Sequence, residues 1–90
     1  MDTIEKKCKD ILRQEGINGA SKIDFDVNGE LYDLSLNYII EAYMQASDDS
    51  KIVFYEAMKK SLYTKDEQGI ANFFEQMGKL LLMSHLSNKI

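Results

Sequence analysis

The dipeptide Asn28-Gly29 constrains this chain more than any other short feature, because it separates two stretches in which apolar and polar residues alternate. Asn and Gly both tolerate the positive φ angles of a type I′ turn, which joins adjacent antiparallel strands. We therefore predict a β-hairpin with strands KIDFDV (22–27) and ELYDLS (30–35). A two-residue turn also sets the register of the strands. One face of the hairpin then carries five apolar side chains: Ile23, Phe25, Val27, Tyr32 and Leu34.

The same stretch resembles the start of an EF-hand calcium loop, which has oxygen ligands at positions one, three and five and glycine at position six. Five residues match the ligand, glycine and apolar positions of that loop: Asp24, Asp26, Asn28, Gly29 and Leu31. Position twelve, which should be a bidentate glutamate, is Ser35. The segment GINGAS (16–21) also stands where the loop needs a preceding helix. We therefore favour the hairpin, and a weak divalent-cation site at Asp24, Asp26 and Asp33 remains an alternative.

Two helices are predicted next to the hairpin from apolar residues at helical spacing. The first covers about Thr3 to Glu15, and Cys8 lies on its apolar face, so we expect the thiol to be a buried hydrophobe. The second helix follows the hairpin directly, with Ser35 as its N-cap.

Two further helices complete the chain. The third covers about Ser50 to Tyr63, and Asp48 or Asp49 is expected to cap it. The fourth covers about 65 to 86 and begins with the capping box TKDE (64–67). The predicted fold class is therefore α+β and mostly helical: a helix, a β-hairpin, then three helices (α-β-β-α-α-α), in one domain of residues 1–90.

The single cysteine, Cys8, excludes a disulfide within one chain and suits a reducing, cytoplasmic setting. The N-terminal MDTIEKKCKD alternates charged and apolar residues, which is not the pattern of a signal peptide. No unbroken apolar run is longer than Leu80 to Met83, which is far shorter than the roughly 20 residues of a membrane span. We expect no membrane association.

The charge distribution is uneven although the net charge is only −4. No basic residue lies between Lys22 and Lys51, and that stretch contains seven acidic residues. Such a surface repels phosphate backbones, so we do not expect nucleic-acid binding. One interpretation of this stretch is a solvated acidic edge with no binding role. The functional interpretation is a docking surface for a basic protein partner. Its candidate residues are Asp24, Asp26, Asp33, Asp48 and Asp49.

Few residues could carry chemistry. A zinc site needs four ligands, whereas the chain has one cysteine and one histidine, Cys8 and His85. The glycines do not cluster into a phosphate-binding loop. We therefore expect no enzyme activity, no cofactor and no metal.

The end of the fourth helix has more apolar residues than one helix face can bury. Four consecutive apolar residues point around a full turn: Leu80, Leu81, Leu82 and Met83. Because a domain this short has a thin core, we predict that they form the interface of a homodimer. The chain as a whole is interpreted as a small, acidic protein-interaction module such as an adaptor, a regulator or a dedicated chaperone. A structural homo-oligomer without another partner is the other alternative.

Overall fold

The structure is a computed structural model, and it describes residues 3–63 and 69–87. The order of elements confirms the predicted α+β, mostly helical fold. The elements are α1 (Thr3–Gln14), β1 (Lys22–Val27), β2 (Glu30–Ser35), α2 (Leu36–Met44), α3 (Asp48–Tyr63) and α4 (Gly69–Ser87). The predicted capping box TKDE lies outside the described residues.

The hairpin has the predicted strand bounds, and its turn has the predicted backbone conformation. Asn28 and Gly29 have φ angles of 55° and 85°, the left-handed values that a type I′ turn requires. The pairing is antiparallel, with Val27 opposite Glu30 and Phe25 opposite Tyr32. The period-two pattern of the sequence was therefore sufficient to predict the register.

The apolar face of the hairpin packs on the helices, as predicted. Phe25 and Val27 are buried, and three partly buried side chains pack around them: Ile23, Tyr32 and Leu34. β1 packs against α4, where a Cβ added to Gly78 would collide with the Phe25 ring. The glycine thus permits a close approach of helix and strand, which offsets its low helix propensity.

Local hydrogen bonds explain where α1 ends and α2 begins. Gly16 has a φ of 71°, and the Ile17 N–H donates to the Leu12 carbonyl, so the chain turns back onto α1 in the manner of a glycine C-cap. The Ser35 hydroxyl accepts a hydrogen bond of 3.1 Å from the Tyr38 N–H, which confirms Ser35 as the N-cap of α2.

The prediction that Asp48 or Asp49 caps α3 is wrong. The Ser47 hydroxyl accepts a hydrogen bond of 3.1 Å from the Ser50 N–H, which is the bond that an N-cap side chain makes. The helix therefore begins one residue after Ser47, and both aspartates belong to its first turn. There they are favourable next to the positive end of the helix dipole.

The core lies where α2, α3 and α4 meet, and aromatic rings form its centre. The Phe54 ring is 4.9 Å from the Tyr43 ring and 5.1 Å from the Phe73 ring, measured between centroids. Seven side chains are almost fully inaccessible to solvent: Cys8, Leu12, Ile39, Ile40, Phe54, Met58 and Phe74. Within the described residues, no helix combines the length and the apolar character that a bilayer span requires.

Candidate functional site

The first candidate surface is the outer face of the hairpin, which we call the acidic face: Asp24, Asp26, Leu31 and Asp33. Asp24 lies directly opposite Asp33 in the antiparallel pair, and Asp26 lies opposite Leu31. Leu31 is 79% exposed, the largest value among the exposed large apolar side chains of the described residues. The face therefore presents one apolar side chain at its turn end, next to Asp26 on the partner strand and Asp33 on the same strand.

Two of these carboxylates already have partners within the hairpin. The Asp26 Oδ1 accepts a hydrogen bond of 3.0 Å from the Gly29 N–H, which supports the turn. The Asp33 Oδ2 lies 3.8 Å from the Lys22 Nζ, so one ammonium group partly offsets the repulsion between Asp24 and Asp33. Both groups are exposed, and such a pair contributes little to stability.

The divalent-cation alternative depends on whether the carboxylates converge. Within residues 3–63 and 69–87, no group of three or more His, Cys, Asp or Glu side chains is placed where it could hold a metal ion. An extended strand explains this, because its successive outer-face residues are separated by two rises of about 3.3 Å. An EF-hand loop instead folds its ligands around one centre.

Asp48 and Asp49, the other two predicted partner-binding residues, belong to the first turn of α3 rather than to the hairpin. The Asp48 Oδ1 lies 3.4 Å from the Lys51 Nζ on the same helix. This ion pair and the helix dipole give these aspartates a local role in stabilising α3.

The second candidate surface lies on α3 and α4. Four large apolar side chains there are about half exposed or more, and we call them the α3–α4 surface: Ile52 (50%), Val53 (65%), Leu80 (57%) and Met83 (49%). The other two exposed large apolar side chains, Leu31 and Tyr38, lie elsewhere. Most of the apolar excess is therefore on this pair of helices.

The structure corrects one residue of the predicted dimer interface. Leu82 is only 8% exposed and belongs to the core of its own chain, so it is not available to a second copy. Leu81 is half-buried, and Leu80 and Met83 are exposed. Consecutive helical residues are about 100° apart, so the orientation of α4 decides which of the four faces inward.

An open groove lies between the two helices that carry this surface. A depression of about 480 Å³ lies between α3 and α4, with Ala57 on one side and Gln76 on the other. Val53 is one helical turn before Ala57, and Leu80 is one turn after Gln76. Because only residues 64–68 connect these packed helices, they run antiparallel. Val53 and Leu80 therefore lie beyond the same end of the groove.

The third candidate surface was missed by the sequence analysis. A cleft of about 320 Å³ lies between α1 and α3, and we call it the α1–α3 cleft: Lys7, Asp10, Ile11, Gln14, Tyr55, Lys59 and Leu62. The Lys7 and Lys59 Nζ atoms lie 5.8 and 4.6 Å from the centre of the Tyr55 ring. Two cations from two helices therefore approach one aromatic ring.

A sequence signal for the α1–α3 cleft did exist. The cleft residues of α1 are spaced i, i+3, i+4 and i+7, and those of α3 are spaced i, i+4 and i+7. Each set is one helix face, but only packing brings the two faces together. Of the two residues that could carry chemistry, Cys8 has its thiol in the core, where the residue is 0% exposed, and the side chain of His85 lies outside the described part of the structure.

A scan against protein-family models and searches of characterised proteins and of solved structures found no match for this chain. A functional proposal therefore depends on the three surfaces themselves.

Proposed function

We propose that this chain is a non-catalytic protein-interaction module that pairs with a second copy through the α3–α4 surface. One observation carries the proposal: four of the six exposed large apolar side chains of the described residues lie on these two helices. Clustered apolar side chains mark interaction sites in small proteins more often than scattered single residues do, and Val53 and Leu80 extend the groove between α3 and α4 at the same end.

The energetics favour a partner chain. Complete burial of a leucine or methionine side chain contributes roughly 1.5–3 kcal/mol, and these four side chains are about half exposed or more. A chain of 90 residues has a thin core, so the apolar area that a partner covers is a large addition to what folding alone buries. A closed two-fold pair is the commonest arrangement, because each copy then offers the same surface to the other.

The test is the mass of the protein in solution, measured by sedimentation over a range of concentrations. The wild type should be a dimer at tens of micromolar, whereas Leu80→Glu and Val53→Lys should each shift it to monomer. Both side chains are exposed, so the variants should keep their helical circular dichroism.

The matched control is Tyr38→Glu. Tyr38 is 53% exposed, similar to Leu80, but it belongs to α2 and not to α3 or α4. This variant should remain a dimer. A monomeric wild type, or equal loss of the dimer in the control, would refute pairing through α3 and α4.

A second candidate function is recognition of a basic partner by the acidic face. It is favoured by the position of Leu31, which is 79% exposed next to the carboxylates of Asp26 and Asp33. The centre of a recognition surface commonly combines an apolar anchor with a charged surround.

We propose the cytoplasm as the setting, because a single buried cysteine suits a reducing compartment. The absence of catalysis is likewise a proposal. It is supported by the small number of candidate groups in the sequence, which has one cysteine and one histidine.

A further inference from the structure

We propose that the acidic face of one copy docks into the α1–α3 cleft of a second copy, with Leu31 as the apolar anchor. The inference rests on the proposed function only in taking the chain to be a self-associating module. It uses two surfaces that are distinct from the α3–α4 surface, so the two contacts can be tested separately.

The acidic face supplies the inserted part. Leu31 projects from the outer face of β2, and Asp26 lies directly opposite it, which places their Cβ atoms about 4.5–5.5 Å apart. Asp33 is two residues along the same strand, at about 6.6 Å. A cleft that receives Leu31 would therefore meet a carboxylate on each of two sides.

The α1–α3 cleft supplies the complementary part. Ile11, Tyr55 and Leu62 are half-buried and provide an apolar floor, and the volume of about 320 Å³ exceeds that of a leucine side chain. The two Nζ atoms are at most about 10 Å apart, because both lie near the Tyr55 ring. Both ammonium groups therefore lie close to the apolar floor that would receive the inserted side chain.

The two surfaces are complementary in charge. The carboxylates of Asp26 and Asp33 next to Leu31 correspond to the ammonium groups of Lys7 and Lys59 near the Tyr55 ring. Lys59 also pairs with Glu56 at 3.2 Å, and Asp10 in the cleft lies 3.7 Å from Arg13. A docked carboxylate would therefore share the Lys59 ammonium group with Glu56, whereas Asp10 already has Arg13 as a cationic partner.

A second copy is the occupant that the charge distribution favours. The stretch between Lys22 and Lys51 has seven acidic residues and no basic one, while the net charge of the whole chain is only −4. The rest of the chain is therefore positive, and the α1–α3 cleft belongs to that part. Opposite local charges accelerate and orient association even when the overall charges have the same sign.

The contact joins two different surfaces, so it does not close on itself. Each copy in a growing chain would still offer one free acidic face and one free α1–α3 cleft. The average mass should therefore keep rising with concentration, unlike the mass of a two-fold dimer.

The experiment uses the full chain with Leu80→Glu, which removes any pairing through the α3–α4 surface. We expect the cleft contact to be weaker than that pairing, so it is measured at protein concentrations well above the tens of micromolar at which Leu80→Glu should be monomeric. If the α3–α4 surface forms no interface, the association of the Leu80→Glu protein still measures the cleft contact. In this background, Leu31→Lys disables the acidic face and leaves the cleft intact. Lys7→Glu combined with Lys59→Glu disables the cleft and leaves the acidic face intact.

Each of these two variants should be monomeric alone, but an equimolar mixture should form 1:1 pairs and nothing larger. The reason is that one working acidic face and one working cleft remain in the mixture. The matched control, Lys6→Glu with Lys79→Glu, makes the same change in net charge outside the cleft and should associate like its parent.

Salt provides a second measurement that does not depend on the cleft variants folding. Raising the salt from about 50 mM to about 500 mM should weaken the association of the Leu80→Glu protein about tenfold, because exposed charges are screened. A Leu80→Glu protein that stays monomeric at these higher concentrations, association that is insensitive to salt, or a mixture that stays monomeric would each overturn the proposal. Association of the mixture with a larger average mass than a pair would also overturn it.

Discussion

Gly78 lies against the ring of Phe25, so closely that a Cβ at this position would collide with it. The same Cβ would also lie only 3.1 Å from the Ile39 Cδ1. This relationship connects the hairpin to α4 and holds the helix in one orientation.

We expect Gly78→Ala to destabilise the fold. Overpacking a core costs typically about 1–3 kcal/mol, and Phe25 and Ile39 are too buried to move freely. The gain in helix propensity, up to about 1 kcal/mol, offsets only part of this cost. Urea denaturation would measure the loss. In a Phe25→Leu background the same substitution should cost less, and an unchanged cost would contradict the contact.

Gly29→Val should destabilise by about 1 kcal/mol or more, because a β-branched residue avoids a positive φ. The φ of Gly29 is 85°, and a Cβ there would meet no atom within 4 Å. The cost is therefore conformational rather than steric crowding. Gly29→Asn, which tolerates this backbone region, should cost clearly less in the same thermal unfolding measurement. Equal losses for both variants would argue against the turn.

The Lys9–Glu41 pair should make stability fall at high pH. The Lys9 Nζ lies 3.0 Å from the Glu41 Oε1 and connects α1 to α2. The hydrogen bond to Glu41 raises the pKa of Lys9 above its ordinary 10.5. The contribution of the pair is therefore complete below pH 10.5 and is lost as the pH rises through the raised pKa.

The size of this contribution should be about 1 kcal/mol or less, because the pair is partly exposed. It is measured as the difference in unfolding free energy between wild type and Lys9→Met, from pH about 8 to about 11.5. The difference should shrink over that range. A constant difference would mean that the lysine stabilises the fold through packing and not through charge.

Truncation to alanine should lower the free energy of unfolding much more at Leu82 than at Leu80. Leu82→Ala should cost about 2–4 kcal/mol, because the side chain is 8% exposed and packs in the core. Leu80→Ala should change the stability of the monomer by no more than about 0.5 kcal/mol, because the side chain is 57% exposed. Chemical denaturation at low protein concentration would compare them, and similar losses would contradict the orientation of α4.

The acidic face should bind calcium no more tightly than about millimolar, because the bidentate glutamate of an EF-hand is replaced by Ser35. Isothermal titration would measure this. Micromolar calcium binding that is lost in Asp24→Asn would contradict this prediction and support a cation site on the acidic face.

Local patterns in the sequence determined the elements of this fold. The alternation around Asn28-Gly29 was enough to predict both strands, their register and the inner face, because strand pairing across a two-residue turn involves only neighbouring residues. Ser35 was recognisable as a cap for the same reason. The cap of α3 was predicted wrongly, because Ser47 and Asp48 are both good caps and lie next to each other.

Tertiary structure alone decided which surfaces face solvent. The sequence shows that Leu80 to Met83 exceed one helix face, but the rotation of α4 that buries Leu82 depends on contacts such as that of Gly78 with Phe25, a residue far away in the chain. The α1–α3 cleft depends likewise on packing that brings Lys7 next to Tyr55. Hydrogen-bonding patterns repeat locally and can be predicted from spacing, whereas the relative orientation of helices is set by side chains from distant segments that must fill a single core.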